Sequence, residues 1–166
     1  MSRQIILLNG PSSSGKSSLA KALQSLVAEK RAERYEVVSI DDFMTTDPKE
    51  TIYEDDVFEI SGGMCSRALE LMESGCGVII DHVITSERIF TQLTDAVQVW
   101  PLRAVHVSCP LKTLRQREKE RGDRCPGSAE ASFTFLYPKE GYDLTVDTAS
   151  GSAAENARII FEKLFQ

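Results

Sequence analysis

The chain has 166 residues, 42% hydrophobic and 27% charged, with a formal net charge of −6. Those figures describe one globular domain, and the acidic balance excludes nucleic acid or an anionic membrane surface as the main partner, since both require a basic face. No apolar run approaches the roughly 20 residues of a membrane span. Residues 1–4 lead straight into a strand, so no leader peptide and a cytoplasmic location are expected.

The first element is the apolar run Ile5, Ile6, Leu7 and Leu8, of the kind buried in parallel sheets. It enters Gly10-Pro11-Ser12-Ser13-Ser14-Gly15-Lys16-Ser17, which fits G-x-x-x-x-G-K-[ST] without a gap. Leu19, Ala22, Leu23, Leu26 and Val27 then recur on one face of a helix. Strand, glycine loop and helix are the three parts of a mononucleotide-binding P-loop. Its inward N–H groups and the positive end of the helix hold a polyphosphate. Lys16 adds a point charge, and the Ser17 hydroxyl suits magnesium, so residues 10–18, Ser18 included, form the expected nucleotide site.

A second strand over 35–40 ends at Asp41 and Asp42. An irregular acidic segment follows, with Asp47, Glu50, Glu54, Asp55, Asp56 and Glu59, and a helix is predicted near 64–74. Gly75 and Gly77 introduce a third strand, Val78, Ile79, Ile80 and Asp81. Ser86 caps the next helix, a fourth strand covers 104–108, and Pro110 opens a helix running through Arg121. Residues 122–141 form a glycine- and proline-punctuated excursion that reads as a lid. A fifth strand spans 142–146, and the capping box of Ser152 and Glu155 opens a last helix. Strands alternating with helices predict a single α/β domain over 1–166, with a parallel sheet covered on both faces.

In such a sheet ligands bind beyond the carboxyl ends of the strands. Asp81, after three aliphatic residues, fits a carboxylate that holds magnesium with Ser17, or else one that caps the following loop. Asp41 is the candidate general base for a hydroxyl acceptor, with Asp42 as its neighbour to be distinguished. Arg117 and Arg121 lie four residues apart on one helical face, and Arg124 follows Gly122. The cluster suits the charge that develops in phosphoryl transfer, while Glu118 and Glu120 offer the plainer reading of solvated ion pairs. His82 either touches substrate or is satisfied by nearby backbone. Cys65, Cys76, Cys109 and Cys125 include no C-x-x-C pair, so reduced thiols and no zinc are expected.

The P-loop run from Ile6, Asp41, Val78-Ile79-Ile80-Asp81, Arg117-Glu118, Arg121-Gly122-Asp123-Arg124, Gly141-Tyr142-Asp143 and Val146-Asp147-Thr148 together resemble the chloramphenicol phosphotransferases. The resemblance implies a fold shared with shikimate and adenylate kinases, a five-stranded sheet of order 2-3-1-4-5 and a helical lid. It implies transfer of the γ-phosphoryl of ATP, with magnesium, to a hydroxyl of the antibiotic, hence a role in antibiotic resistance. Asp41 would be the base, Arg117, Arg121 and Arg124 would serve the lid side, and the region after Thr148 would lie near adenine. Two features depart from the pattern: His82 replaces a second acidic residue, and the acidic segment 42–60 differs where an acceptor would be gripped. That segment would cradle an anion poorly, or is a solvated loop. A nucleoside or nucleotide-sugar kinase resembling zeta-type toxins, or a non-catalytic nucleotide switch, are the alternatives.

Overall fold

The structure, a computed structural model, describes residues 3–166. Five strands, β1 (Ile5–Asn9), β2 (Tyr35–Ser39), β3 (Gly77–His82), β4 (Leu102–Ser108) and β5 (Leu144–Asp147), form one parallel sheet of order β2-β3-β1-β4-β5. Between and after them run α1 (Lys16–Arg31), α2 (Glu54–Glu73), α3 (Glu87–Ala96), α4 (Leu111–Arg121), α5 (Ser128–Phe135) and α6 (Ala153–Leu164). This is the three-layer α/β arrangement of P-loop proteins, and the strand order is the one the family resemblance implied.

Every residue of β1 and β3 is buried, because alternate side chains serve two separate cores. Ile5, Leu7, Val78 and Ile80 face Met64, Ala68, Met72, Ile89 and Leu93 of α2 and α3. Ile6, Leu8, Ile79 and Val105 face Leu19, Leu23 and Val27 of α1 and Ala157 and Ile160 of α6. The parallel register then sets Ser39 and Leu8 on either side of Asp81, and Asn9 beside His82. Polar groups therefore collect at one edge, where β1, β2 and β3 end. No helix among the described residues is long and apolar enough to cross a membrane.

Three predicted starts move by two residues or more, that of β4 from 104 to Leu102. The helix expected near 64–74 starts instead at Glu54, so Glu54, Asp55, Asp56 and Glu59 of the acidic segment are helical. Gly62 and Gly63 lower helix propensity yet lie inside α2, where a Cβ at either would make ordinary van der Waals contact with Gln92 or Phe43. Glu54, Asp55 and Asp56 occupy the first turn, where negative charge is favoured by the helix dipole. The fifth strand begins at Leu144 rather than at 142, since Tyr142 is turned aside to bond Asn9 and Pro138. The excursion over 122–141 contains α5, giving the lid its helix. Ser86 and Ser152 cap α3 and α6 as expected, accepting from Ile89 N at 3.2 Å and Glu155 N at 3.1 Å.

Candidate active site

The loop between β1 and α1 is built for close approach. A Cβ on Gly10 would lie 2.5 Å from the Val107 carbonyl oxygen of β4, so only glycine fits. Gly15 caps α1 at φ +89°, a conformation that a side chain would strain. Lys16 is 6% exposed, and its ammonium donates to Pro11 O at 2.9 Å and Ser14 Oγ at 3.4 Å. Burial pulls its pKa down from 10.5 to about 8, against the opposing pull of Asp81 and Asp41. Ser13 Oγ is buried with no hydrogen-bond partner. A buried cation, an orphaned hydroxyl and a glycine-formed helix start make a cradle whose missing partner is an anion. A nucleoside triphosphate fits it.

Asp81 lies at the strand end beneath this loop. Its Oδ2 accepts from Ser17 Oγ at 2.9 Å and from Ser39 Oγ at 3.3 Å, the second contact following from the β2–β3 register. A hydroxyl and a carboxylate side by side are hard oxygen donors suited to magnesium, which commonly takes one or two carboxylates and completes its shell with phosphate and water. The described residues contain no cluster of three or more His, Cys, Asp or Glu that could hold a metal by itself.

Two cavities meet at this edge. The first, of about 720 Å³, is lined by the P-loop, Asp81, Arg117, Glu120, Arg121 and residues 151–153 after Thr148. The second, of about 610 Å³, lies between segment 44–54 and the lid. Ser12, Ile40, Asp41, Val83 and Arg124 line both. Asp41 begins the turn after β2, within a 3-10 helix over Ile40–Phe43, and its Oδ2 accepts from Arg124 Nη2 at 2.9 Å. Asp42 lines neither cavity, which separates the two neighbours by position.

The three predicted arginines all line the first cavity but differ in restraint. Arg117 donates through Nη1 to Thr148 Oγ1 at 3.1 Å and through Nη2 to Thr148 O at 2.9 Å. Thr148 Oγ1 in turn donates to Ser14 O at 2.6 Å, tying α4 to the P-loop. Arg121 donates through Nε to Asp123 at 3.2 Å. Arg124 has a buried Nε without a partner. Arg115 pairs with Glu130 and lines neither cavity. Glu118 does not pair with an arginine: its carboxylate accepts from Gly127 N at 3.2 Å and Ala129 N at 2.8 Å, capping α5.

His82 is fully buried, and its Nδ1 accepts from Val83 N at 2.8 Å, which leaves the proton on Nε2 facing Ser61 Oγ at 3.4 Å. Burial lowers its pKa to about 3, so it stays neutral and is satisfied by backbone. Sequence reasoning passed over three polar clamps. Asn9 accepts from Ile84 N and donates to Tyr137 O and Tyr142 Oη, each at 2.9 Å, joining β1, β3 and the base of the lid. Ser132 Oγ of α5 accepts from Ser12 N at 2.9 Å, and Cys125 N of the lid donates to Pro48 O at 3.0 Å. A polar residue ending an otherwise apolar strand was the one available signal, at Asn9.

A family model described as chloramphenicol phosphotransferase-like protein matches residues 3–165. Two Mycobacterium tuberculosis proteins named as candidate O-phosphotransferases, from strains CDC 1551 and H37Rv, are 31% identical over 185 aligned positions, covering 96% of this chain and 81% of theirs. Among solved structures, the APS kinase CysC of Mycobacterium tuberculosis in complex with AMPPNP and APS superposes with a TM-score of 0.80 at 18% identity, over 99% of both chains. A gluconokinase from Sinorhizobium meliloti 1021 gives 0.69 at 19% identity, over 98% of this chain and 95% of that one. The structural likenesses establish the P-loop kinase fold. The family match runs almost end to end and agrees with the curated relatives, so the chain belongs to the chloramphenicol phosphotransferase-like family.

Proposed function

We propose that the protein is an ATP-dependent O-phosphotransferase that moves the γ-phosphoryl group to a hydroxyl of a small molecule, chloramphenicol or a similar compound. One observation carries this reading: the Asp41 carboxylate stands on the wall shared by a phosphate-binding cavity and a second cavity of small-molecule size. The name of the curated relatives, O-phosphotransferase, agrees with it.

The roles follow from position. Backbone N–H groups of residues 10–18 and the start of α1 hold the phosphates, and Lys16 neutralises part of their charge. Magnesium, when bound at Ser17 and Asp81, would offset charge on the β- and γ-phosphoryl oxygens. Asp41 orients the acceptor hydroxyl and takes its proton as the new oxygen–phosphorus bond forms and the bond to the ADP oxygen breaks. Arg124, ion-paired to Asp41, is placed to turn its unpartnered Nε toward the transferring phosphoryl oxygens. Arg121 and Arg117 complete the positive wall, and α5 excludes water.

The test is ADP release with ATP, magnesium and chloramphenicol. We expect acceptor-dependent release whose kcat falls by about 100-fold or more in Asp41→Asn with little change in ATP affinity. Equal loss of turnover and ATP affinity would count against the base role. ATP binding with no release for any hydroxylated acceptor would count against the transferase reading.

A further inference from the structure

The second cavity is charged in one sense. Asp41, Asp47, Glu50 and Glu54 line it, and the only cationic side chain among its lining residues is Arg124, already paired with Asp41 at 2.9 Å. The remaining carboxylates are weakly compensated. Among the described residues the Asp47 carboxylate accepts only the N–H of Lys49, at 2.9 Å, and Lys49 itself does not line the cavity. Glu54 lies 3.7 Å from Arg88, which holds Asp55 more closely at 2.6 Å. Glu50 has no hydrogen-bond or ion-pair partner through its side chain among the described residues. His82, neutral for the reasons given above, adds no positive charge.

The opposite character of the wall matters as much. Met44, Ile52, Val57, Ile89 and Phe135 give the cavity a broad apolar side, and Phe135 is 65% exposed. The Asp41–Arg124 pair stands at the boundary with the phosphate cavity, where the reacting hydroxyl has to lie. A ligand here therefore has an oxygen toward Arg124 and Asp41, a hydrophobic body, and a charge that the carboxylates do not repel.

We propose that the acceptor is a cationic amino alcohol: an apolar hydroxylated small molecule bearing a protonated amine that Asp47, Glu50 and Glu54 attract, with its hydroxyl at Asp41. This rests on the transferase reading and narrows its acceptor class. An anionic acceptor would meet several uncompensated like charges, and a neutral one would forgo the attraction.

The test uses a matched set: chloramphenicol, the primary amine left when its dichloroacetyl group is removed, and 3-phenyllactate as a hydroxylated anion. The first two share one aromatic diol and differ in amide against ammonium. Binding is measured by calorimetry with a non-hydrolysable ATP analogue and magnesium, and turnover by ADP release. We expect the amine to bind about tenfold more tightly than chloramphenicol at pH 7 and low salt, with 3-phenyllactate weakest. The preference should shrink at high salt and in Glu50→Gln and Asp47→Asn. No preference for the amine, or one unchanged in both variants, overturns the inference. Amine-selective binding without ADP release from any acceptor would leave the charge selectivity standing and sink the transferase reading instead.

Discussion

Lys16 illustrates what one buried side chain does to the behaviour of a site. Its ammonium donates to a carbonyl and a hydroxyl, and burial lowers the pKa to about 8. Between pH 8 and 10.5 the unfolded chain binds this proton and the folded chain does not, so Lys16 makes the ligand-free protein gain stability as pH rises there. A phosphate in the loop reverses the balance by favouring the charged form. We therefore expect ATP binding at pH 8.5 to take up a proton, and affinity to weaken as pH rises above about 8. Calorimetry in two buffers of different ionisation enthalpy reads the uptake; a buffer-independent heat, or the same dependence in Lys16→Met, refutes it. This residue was legible in sequence because the motif fixes its neighbours. The bonds of Asn9 to Ile84 and of Thr148 to Ser14 were not, because they join residues 75 and 134 positions apart.

At the scale of elements, α5 is the piece whose placement a local sequence reading could not supply. The excursion over 122–141 was recognisable by its glycines and prolines, but its partners lie elsewhere in the chain. Glu118 on α4 caps α5, Ser132 holds the Ser12 amide, and Cys125 reaches Pro48. We expect Glu118→Ala to loosen this helix, costing about 1 kcal/mol as lost caps do. Hydrogen exchange should quicken over 127–135 and the acceptor KM should rise, with ATP affinity nearly unchanged. Glu118→Gln, which keeps an acceptor oxygen, should fall between. A change confined to ATP affinity would show that α5 serves the nucleotide and not the acceptor cavity. The misplaced start of α2 has a related cause. Gly62 and Gly63 lower helix propensity, and the packing of Met64, Ala68 and Met72 that holds α2 against the sheet exists only once the chain has folded.

A much tighter contact marks the start of β3. A Cβ on Gly77 would fall 2.3 Å from the Tyr35 ring, which packs edge-on against Phe165 at 5.3 Å. Gly77→Ala must push that ring away and loosen the contact of β2 with the C-terminal segment. We expect a loss of about 1–3 kcal/mol, the usual cost of overpacking, in urea unfolding. An unchanged midpoint would mean that the ring moves freely. The residue pattern by itself predicted a parallel sheet covered on both faces, and the order of its strands came only from the family resemblance, which the structure matches.

The whole molecule answers to pH through its interior as well as its surface. His82 sits at the end of β3 beside Asn9 of β1, with no exposure and a pKa lowered from 6.5 to about 3, first by burial and then by Lys16. In the unfolded chain it takes up a proton near pH 6.5, whereas the folded chain refuses it until about pH 3. The unfolded state therefore binds more protons across that window, and stability falls as pH drops through it. The slope from one such group is at most about 1.4 kcal/mol per pH unit. Comparison is cleanest between pH 6.5 and 5, above the range where exposed carboxylates titrate, and there the loss should be roughly 1–2 kcal/mol. His106, stacked on Tyr142 and also lowered by burial, adds its own part in every variant. His82→Asn offers an oxygen to the Val83 amide that Nδ1 now satisfies, but carries no group that titrates there. Urea unfolding at several pH values should therefore show a shallower slope in His82→Asn than in the wild type. Parallel slopes would mean that the acid sensitivity arises elsewhere and that the His82 pocket admits a proton with the fold intact.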